Sequence, residues 1–173
     1  MESLRILVRT IDRLNEGIGR IAGVAVLLLV LVQFLLVLGS AVFAYGSIWL
    51  QESRLYLNAL MFLGAAGYAL KYDAHVRVDL LFRDADRLSR AWVDFAGTLI
   101  FMAPFLFLIW RAGIPYVLNA WSIRQGSVET GGIPFVYGLK TTIVIFAATV
   151  SLQGLAMLIR QGVLIYTGRR EPL

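Results

Sequence analysis

Long uncharged stretches of apolar residues recur along the chain and predict its architecture. From Ile21 to Gly46 no charged residue occurs, and at about 1.5 Å per residue a helix of this length exceeds the roughly 30 Å hydrocarbon core of a bilayer. Three further apolar runs follow, each bounded by charged residues. The pattern predicts an all-α integral membrane protein with four transmembrane helices, whose crossings lie at about 21–46, 55–71, 91–116 and 140–160.

The segment before the first crossing predicts an amphipathic helix at about 4–20. Its apolar residues recur at steps of three and four and share one helical face, whereas arginines fall on the opposite face. Such a helix is typical of the membrane interface. The alternative is a helix that packs on another protein surface. Both interpretations would hold if a partner subunit lay at the membrane interface. The apolar positions are Leu4, Leu7, Ile11, Leu14, Ile18 and Ile21, and the arginines are Arg5, Arg9, Arg13 and Arg20.

Prolines and glycines mark the interruptions of the later helices. Pro104 lies inside the third crossing, where it removes one backbone donor and predicts a kink. Gly113 and Pro115 indicate that regular helix ends nearby. The glycines and the proline within 119–140 predict an exposed loop.

Small and polar residues inside the crossings indicate helix packing. Gly64 and Gly67 flank two alanines in the second crossing, and such a small-residue face predicts a close helix neighbour. Gln33 and Gln153 are the main polar groups of the first and fourth crossings, and each can join helices through hydrogen bonds of about 1 kcal/mol. No crossing has a charge at its centre, where an ion-coupled transporter usually keeps an ionisable group or unwound helix.

Composition excludes several classes of protein. The 173 residues are 59% hydrophobic and 16% charged, and a soluble protein of this size cannot bury so many apolar side chains in its core. Four crossings with their connections need the whole chain, so we expect one membrane domain over 1–173. Cysteine is absent, which excludes disulfides and thiolate sites, and the lone His75 cannot supply paired haem ligands. Without catalytic motifs, we predict no enzyme activity, cofactor or metal site.

Basic residues are distributed unevenly between the two sides of the predicted membrane domain. Placing both termini and the connector after the second crossing on one side collects twelve of the sixteen lysines and arginines. The positive-inside rule then predicts that both termini lie in the cytoplasm. The net charge of +5 is explained by this orientation, so we expect no nucleic-acid partner.

Polar residues at the ends of the crossings are candidates for structural or subunit-interface roles. In the string HVRVD after the second crossing, one histidine and one aspartate four residues apart make a poor metal site, and a folded cytoplasmic corner is the better interpretation. Carboxylates in the outer loops suit docking of a soluble partner, although loop charge is usually just solvated. The candidates are His75, Arg77 and Asp79 in the string, and Trp49, Glu52, Arg54, Glu129 and Lys140 on the outer side.

Several of these strings occur together in an order that resembles a known family. They are Trp49 with Glu52, LNALMFLGAAGYALKYDAHVRVDLLF at 57–82, Glu129 followed by GGIP at 131–134, Lys140, and Gln153 with Gly154. The chain resembles the small membrane subunit of TRAP transporters, the tripartite ATP-independent periplasmic transporters (DctQ family), over about residues 47–160. HVRVD after a Gly/Ala-rich helix carries most of the resemblance, and its wording is similar to the branch labelled for mannitol, chloroaromatic compounds or 2-oxo acids.

The resemblance implies a non-catalytic subunit of a secondary uptake system. A periplasmic binding protein delivers an organic acid or related solute, a large multi-spanning permease subunit holds the substrate and sodium sites, and the small subunit anchors that scaffold among membrane lipids. Two other classes remain open at this point. They are a membrane anchor of an oxidoreductase and a small dimeric exporter, although the first crossing lacks the membrane carboxylate that such exporters usually need.

Overall fold

The computed structural model describes residues 2–72 and 86–168, and nearly all of these residues are helical. No strand occurs within these two ranges, which confirms the prediction of an all-α fold. A π-helical turn, Thr98–Met102, joins the third helix to the fourth without a break. The helices are α1 Glu2–Phe43, α2 Ile48–Lys71, α3 Arg87–Gly97, α4 Ala103–Ser122 and α5 Val136–Thr167.

Helix α5 lies at the centre of the bundle and contacts all four other helices. On one side of it α1 and α2 form an antiparallel pair, and on the other side lie α3, the π-helical turn and α4. The core is made of small side chains, among them Ala147, Val150 and Ala156 of α5. Helices with small facing residues approach closely in a membrane, where packing rather than water exclusion drives association.

Helix α1 is continuous where the sequence predicted an interfacial helix followed by a separate crossing. Its packing face also differs from the predicted apolar face: Ile11 is buried, but Leu7 and Leu14 are 43% and 45% exposed. The buried positions follow a different set of three- and four-residue steps, which is the spacing of a helix-packing seam. The location of 4–20 in the interface therefore stays a prediction. The buried residues are Val8, Ile11, Asn15, Ala22 and Ala25.

The interruptions predicted in the third crossing take two different forms. Directly before Pro104 the helix widens into the π-helical turn, in which the Thr98 carbonyl accepts from the Ala103 amide. The prediction that helix ends near Gly113 and Pro115 is wrong, because α4 continues to Ser122 with Pro115 inside it. A single missing hydrogen bond costs less than unwinding several backbone groups where no water can bind them.

Three helical segments in the described ranges are long and apolar enough to cross a membrane: Glu2–Phe43, Arg87–Ser122 and Val136–Thr167. Helix α2 has 24 residues, about 36 Å at the usual rise per residue, but it contains Glu52, Arg54 and Asn58 in its first half. Its length suffices for a crossing and its composition is less apolar. The protein is thus membrane-embedded, and a fourth crossing by α2 remains a prediction.

Candidate functional site

Polar side chains join α1 to α5 at one end of the bundle. Asn15 and Gln153 are both fully buried, and the Asn15 Nδ2 donates to Gln153 Oε1 over 2.7 Å. Gln153 in turn donates to Asp12 Oδ1 over 3.3 Å, and the Arg160 guanidinium donates to the other carboxylate oxygen. The Asn15 Nδ2 also donates to the Thr149 carbonyl oxygen over 3.4 Å. We call Asp12, Asn15, Thr149, Gln153 and Arg160 the Asn15 cluster.

Helix α2 contacts the Asn15 cluster through Gly67. A Cβ atom at this position would lie 2.5 Å from Asn15 Oδ1 and 2.9 Å from Thr149 Cβ, so no larger residue fits without movement. Gly64, one turn earlier, faces Ala22 at an ordinary contact distance. The predicted small-residue face therefore finds its neighbours, α1 and α5, within this chain.

A second set of charges lies beside this cluster, at the junction of α1 and α2. Lys71, the last residue of α2, donates to Glu16 over 2.9 Å, and Arg20 donates to the other oxygen of Glu16 over 2.9 Å. The Glu16 side chain is 33% exposed, so solvent screens these ion pairs and their contribution to stability is small. These two ion pairs hold the end of α2 at the same end of the bundle as Asp12 and Arg160.

At the other end of the bundle, Glu52 binds the loop between α4 and α5. Its carboxylate accepts from the Ser127 hydroxyl and, over 2.5 Å, from the Ile133 amide. A Cβ atom on Gly132 would clash with both Ser127 and Glu52, so the loop backbone passes directly over the carboxylate. Gly131 has φ +84°, a left-handed conformation that favours glycine. The glycines of the GGIP string thus let the loop backbone pass close to Glu52, which binds the loop to α2.

Lys140, near the start of α5, lies at the same end of the bundle and contacts α4 and the loop that follows α4. Its ammonium donates to Gln125 Oε1 over 2.7 Å and lies 3.8 Å from the centre of the Tyr116 ring. Nearby, Trp121 donates from its indole nitrogen to Thr141 over 2.9 Å. These contacts hold the start of α5 against the end of α4. We call Glu52, Ser127, Ile133, Gln125 and Lys140 the Glu52 cluster.

The remaining candidates from the sequence occupy separate places. Trp49 is 56% exposed near the start of α2, and Arg54 donates to Gln33 over 3.5 Å. Glu129 is exposed; its backbone amide donates to Ser127 Oγ, and its carbonyl accepts from the Gly132 amide. His75, Arg77 and Asp79 lie outside the described residues.

The sequence did not single out Asp12, Asn15, Ser127 or Arg160 as partners. The sequence did contain a signal for Asn15. It is a polar residue four positions after Ile11 and three before Ile18, and the other buried residues of α1 are apolar. The partners of Glu52 and Asp12 carried no such signal, because they lie 75 and 148 residues away along the chain.

The residues of the two polar clusters bind parts of the same chain to one another. In the Asn15 cluster, side chains of α1 and α5 bind one another, and in the Glu52 cluster, side chains of α2 and α5 bind the loop between α4 and α5. Asn15 Oδ1 is a buried acceptor without a donor among the described residues. It faces the Cα of Gly67, and a weak Cα–H···O contact suits that position. Hydrogen bonds between membrane helices contribute about 0.6–1.7 kcal/mol each.

Comparison with known proteins gives one result. Residues 29–164 match the model of the family described as tripartite ATP-independent periplasmic transporters, DctQ component. Curated proteins and solved structures gave no match to this chain. The matched range includes α1 from Leu29 onward, all of α2, α3 and α4, and α5 as far as Leu164. The chain therefore belongs to the DctQ family, the small membrane component of TRAP transporters.

Proposed function

We propose that this chain is the non-catalytic small permease subunit of a sodium-coupled symporter that imports an organic acid or related solute. In this proposal a periplasmic binding protein delivers the solute, and a large multi-spanning permease subunit transports it. The present subunit anchors and scaffolds the large one. The family match carries the assignment to a transporter component, and the sodium coupling, the solute and the scaffold role extend it.

The internal use of polar side chains supports the scaffold role. Gln153 is the main polar residue of α5 within its apolar part, and it is fully buried and bonded to Asn15 and Asp12. A group engaged in this way holds helices together and is not open to a passing solute. This is the observation on which the scaffold role depends most.

The proposed orientation places four crossings in the bacterial inner membrane with both termini in the cytoplasm. Two features support it: the twelve-to-four distribution of lysines and arginines, and the grouping of Glu16, Lys71 and Arg160 at one end of the bundle, opposite the loop bound by Glu52. An antiparallel α2 that spans with α1 accounts for both.

The test is purification of the tagged chain in mild detergent from cells that also express its large neighbour. We expect stoichiometric recovery of the large subunit, and uptake into proteoliposomes that requires both subunits, the binding protein and an inward sodium gradient. Uptake that is undiminished without this chain would contradict the scaffold role. Recovery of a self-associated small protein alone, with the neighbour intact in the same membranes, would contradict the assignment as a permease subunit.

A further inference from the structure

An open groove of about 500 Å³ runs between α1 and α2. This volume lies in the range of about 300–1,000 Å³ that ligand sites in proteins occupy. The walls are apolar, and three polar side chains interrupt them. The lining residues are Leu29, Val30 and Gln33 of α1 and Arg54, Leu55 and Asn58 of α2.

The polar residues of the groove lie together because α1 and α2 are antiparallel. Gln33 and Arg54 are at the same level, joined by the 3.5 Å hydrogen bond from the guanidinium to Gln33 Oε1. Asn58 lies one helical turn further along α2. Among the described residues Arg54 has no carboxylate partner, and the nearby Glu52 is occupied by Ser127 and Ile133.

Arg54 lies in the second turn of α2, six residues after Ile48 and close to the level at which Glu52 binds the loop. Its guanidinium lies beside apolar side chains of both helices and has an amide oxygen as its hydrogen-bond acceptor. A carboxylate on a neighbouring segment complements a cation in such a setting.

The surrounding surface has room for another helix. No residue of α1 beyond Ala25 is buried, and Val30 is 63% exposed beside the groove. The buried residues of α1 therefore all lie between Val8 and Ala25, and beyond Ala25 the helix leaves one flank of the α1–α2 pair open.

We propose that the groove receives a transmembrane segment of the large permease subunit, and that a carboxylate on this segment binds Arg54. The Gln33 and Asn58 amides provide further donors to the same carboxylate, while Leu29, Val30 and Leu55 pack against the segment's apolar side chains. This inference rests on the proposed function and adds to it the place and the chemistry of the contact.

The first experiment measures assembly of the tagged chain with the large subunit in mild detergent. Arg54→Glu places two carboxylates together, and we expect the recovered large subunit to fall by about tenfold or more; Arg54→Gln should cause a smaller loss. Arg111→Gln, a charge removal at an exposed position of α4, is the matched control and should assemble normally. Undiminished assembly of the Arg54→Glu variant would overturn the inference while the wild-type complex still supports the proposed function. Failure of the wild-type chain to assemble would count against the proposed function itself.

The second experiment identifies the occupant, using the absence of cysteine in the chain. A benzophenone maleimide on Val30→Cys is irradiated in the intact complex, with Leu118→Cys on the exposed face of α4 as control. We expect an adduct of Val30→Cys with a large-subunit segment that carries Asp or Glu, and restored assembly of Arg54→Glu when that residue becomes Arg. An adduct with phospholipid only, with a second copy of this chain, or with a segment that lacks a carboxylate would overturn the inference.

Discussion

Gly67 lies where α1, α2 and α5 meet, and its lack of a side chain sets the distance between them. In Gly67→Ala the added Cβ would lie 2.5 Å from Asn15 Oδ1, and overpacking of this kind costs about 1–3 kcal/mol, more than the helix propensity gained with alanine. We expect this variant to unfold at lower SDS concentration, as followed by circular dichroism. Gly64→Ala is the matched control: its Cβ meets its nearest neighbour at 3.7 Å, and we expect equal or slightly higher stability. A loss of similar size in both variants would contradict the steric explanation.

Asn15 and Gln153 form a pair whose energy can be measured directly. Asn15→Val or Gln153→Leu alone leaves the other amide without this partner, which costs about 1–3 kcal/mol in a buried position. In the double variant we expect a smaller loss than the sum of the two, with a coupling energy of about 0.6–1.7 kcal/mol from unfolding in detergent. Gln161, which donates to Asp94 instead, provides the control: Gln161→Leu should add independently to Asn15→Val. Strict additivity for Asn15 and Gln153 would contradict the pairing.

The sequence drew attention to one residue of the Asn15 cluster and missed its hydrogen-bond partner. Gln153 was selected as a helix-joining residue, and the structure places it fully buried against Asn15. Asn15 was missed because the seam was assigned to the more apolar neighbours Leu14 and Ile18. In a membrane protein the most apolar face of a helix can face lipid, so hydrophobicity alone does not identify the packing face.

At the level of the elements, Glu52 links α2 to the loop that follows α4. Glu52→Gln replaces one carboxylate oxygen by a donor, so the side chain can no longer accept from both Ser127 and the Ile133 amide. Hydrogen bonds to a charged group contribute about 1.5–3 kcal/mol, and we expect amide exchange in peptides spanning 126–135 to accelerate by about tenfold. The measurement is hydrogen–deuterium exchange with mass spectrometry. Glu129→Gln, in the same loop with an exposed side chain, should leave exchange unchanged; equal acceleration in both variants would contradict the role of Glu52.

Helix bounds were less predictable from the sequence than the existence of the helices. Each predicted crossing overlaps a helical segment, and the third one covers parts of α3 and α4 with the π-helical turn between them. However, α1 begins at Glu2, and α4 continues through Pro115 to Ser122. Glycine and proline end helices in water because solvent binds the freed backbone groups, and this alternative is missing in lipid. The rules that set helix ends in soluble proteins therefore underestimated the lengths of these helices.

The arrangement of the whole molecule did not follow from the sequence. The central position of α5, and the pairing of Asp12 with Arg160 across 148 residues, are long-range packing results that no local pattern contains. The family match and the apolar helices agree with the sequence-based assignment to a membrane transport subunit. The number of crossings and the orientation are properties of the whole chain that cysteine labelling can measure.

The number of crossings decides on which sides the two ends of the chain lie. Four crossings place Ser3 and Tyr166 on the same side, whereas three crossings, with α2 remaining on one surface, place them on opposite sides. The chain has no cysteine, so Ser3→Cys, Val128→Cys and Tyr166→Cys each provide a single reactive position; Val128 and Tyr166 are 95% and 91% exposed. With a membrane-impermeant maleimide on spheroplasts, we expect Val128→Cys to react at once and the other two only after permeabilisation. Each permeabilised sample serves as its own control for reactivity. Labelling of just one of Ser3→Cys and Tyr166→Cys from outside would show an odd number of crossings and remove the charge argument for cytoplasmic termini, since that argument counts both ends on one side.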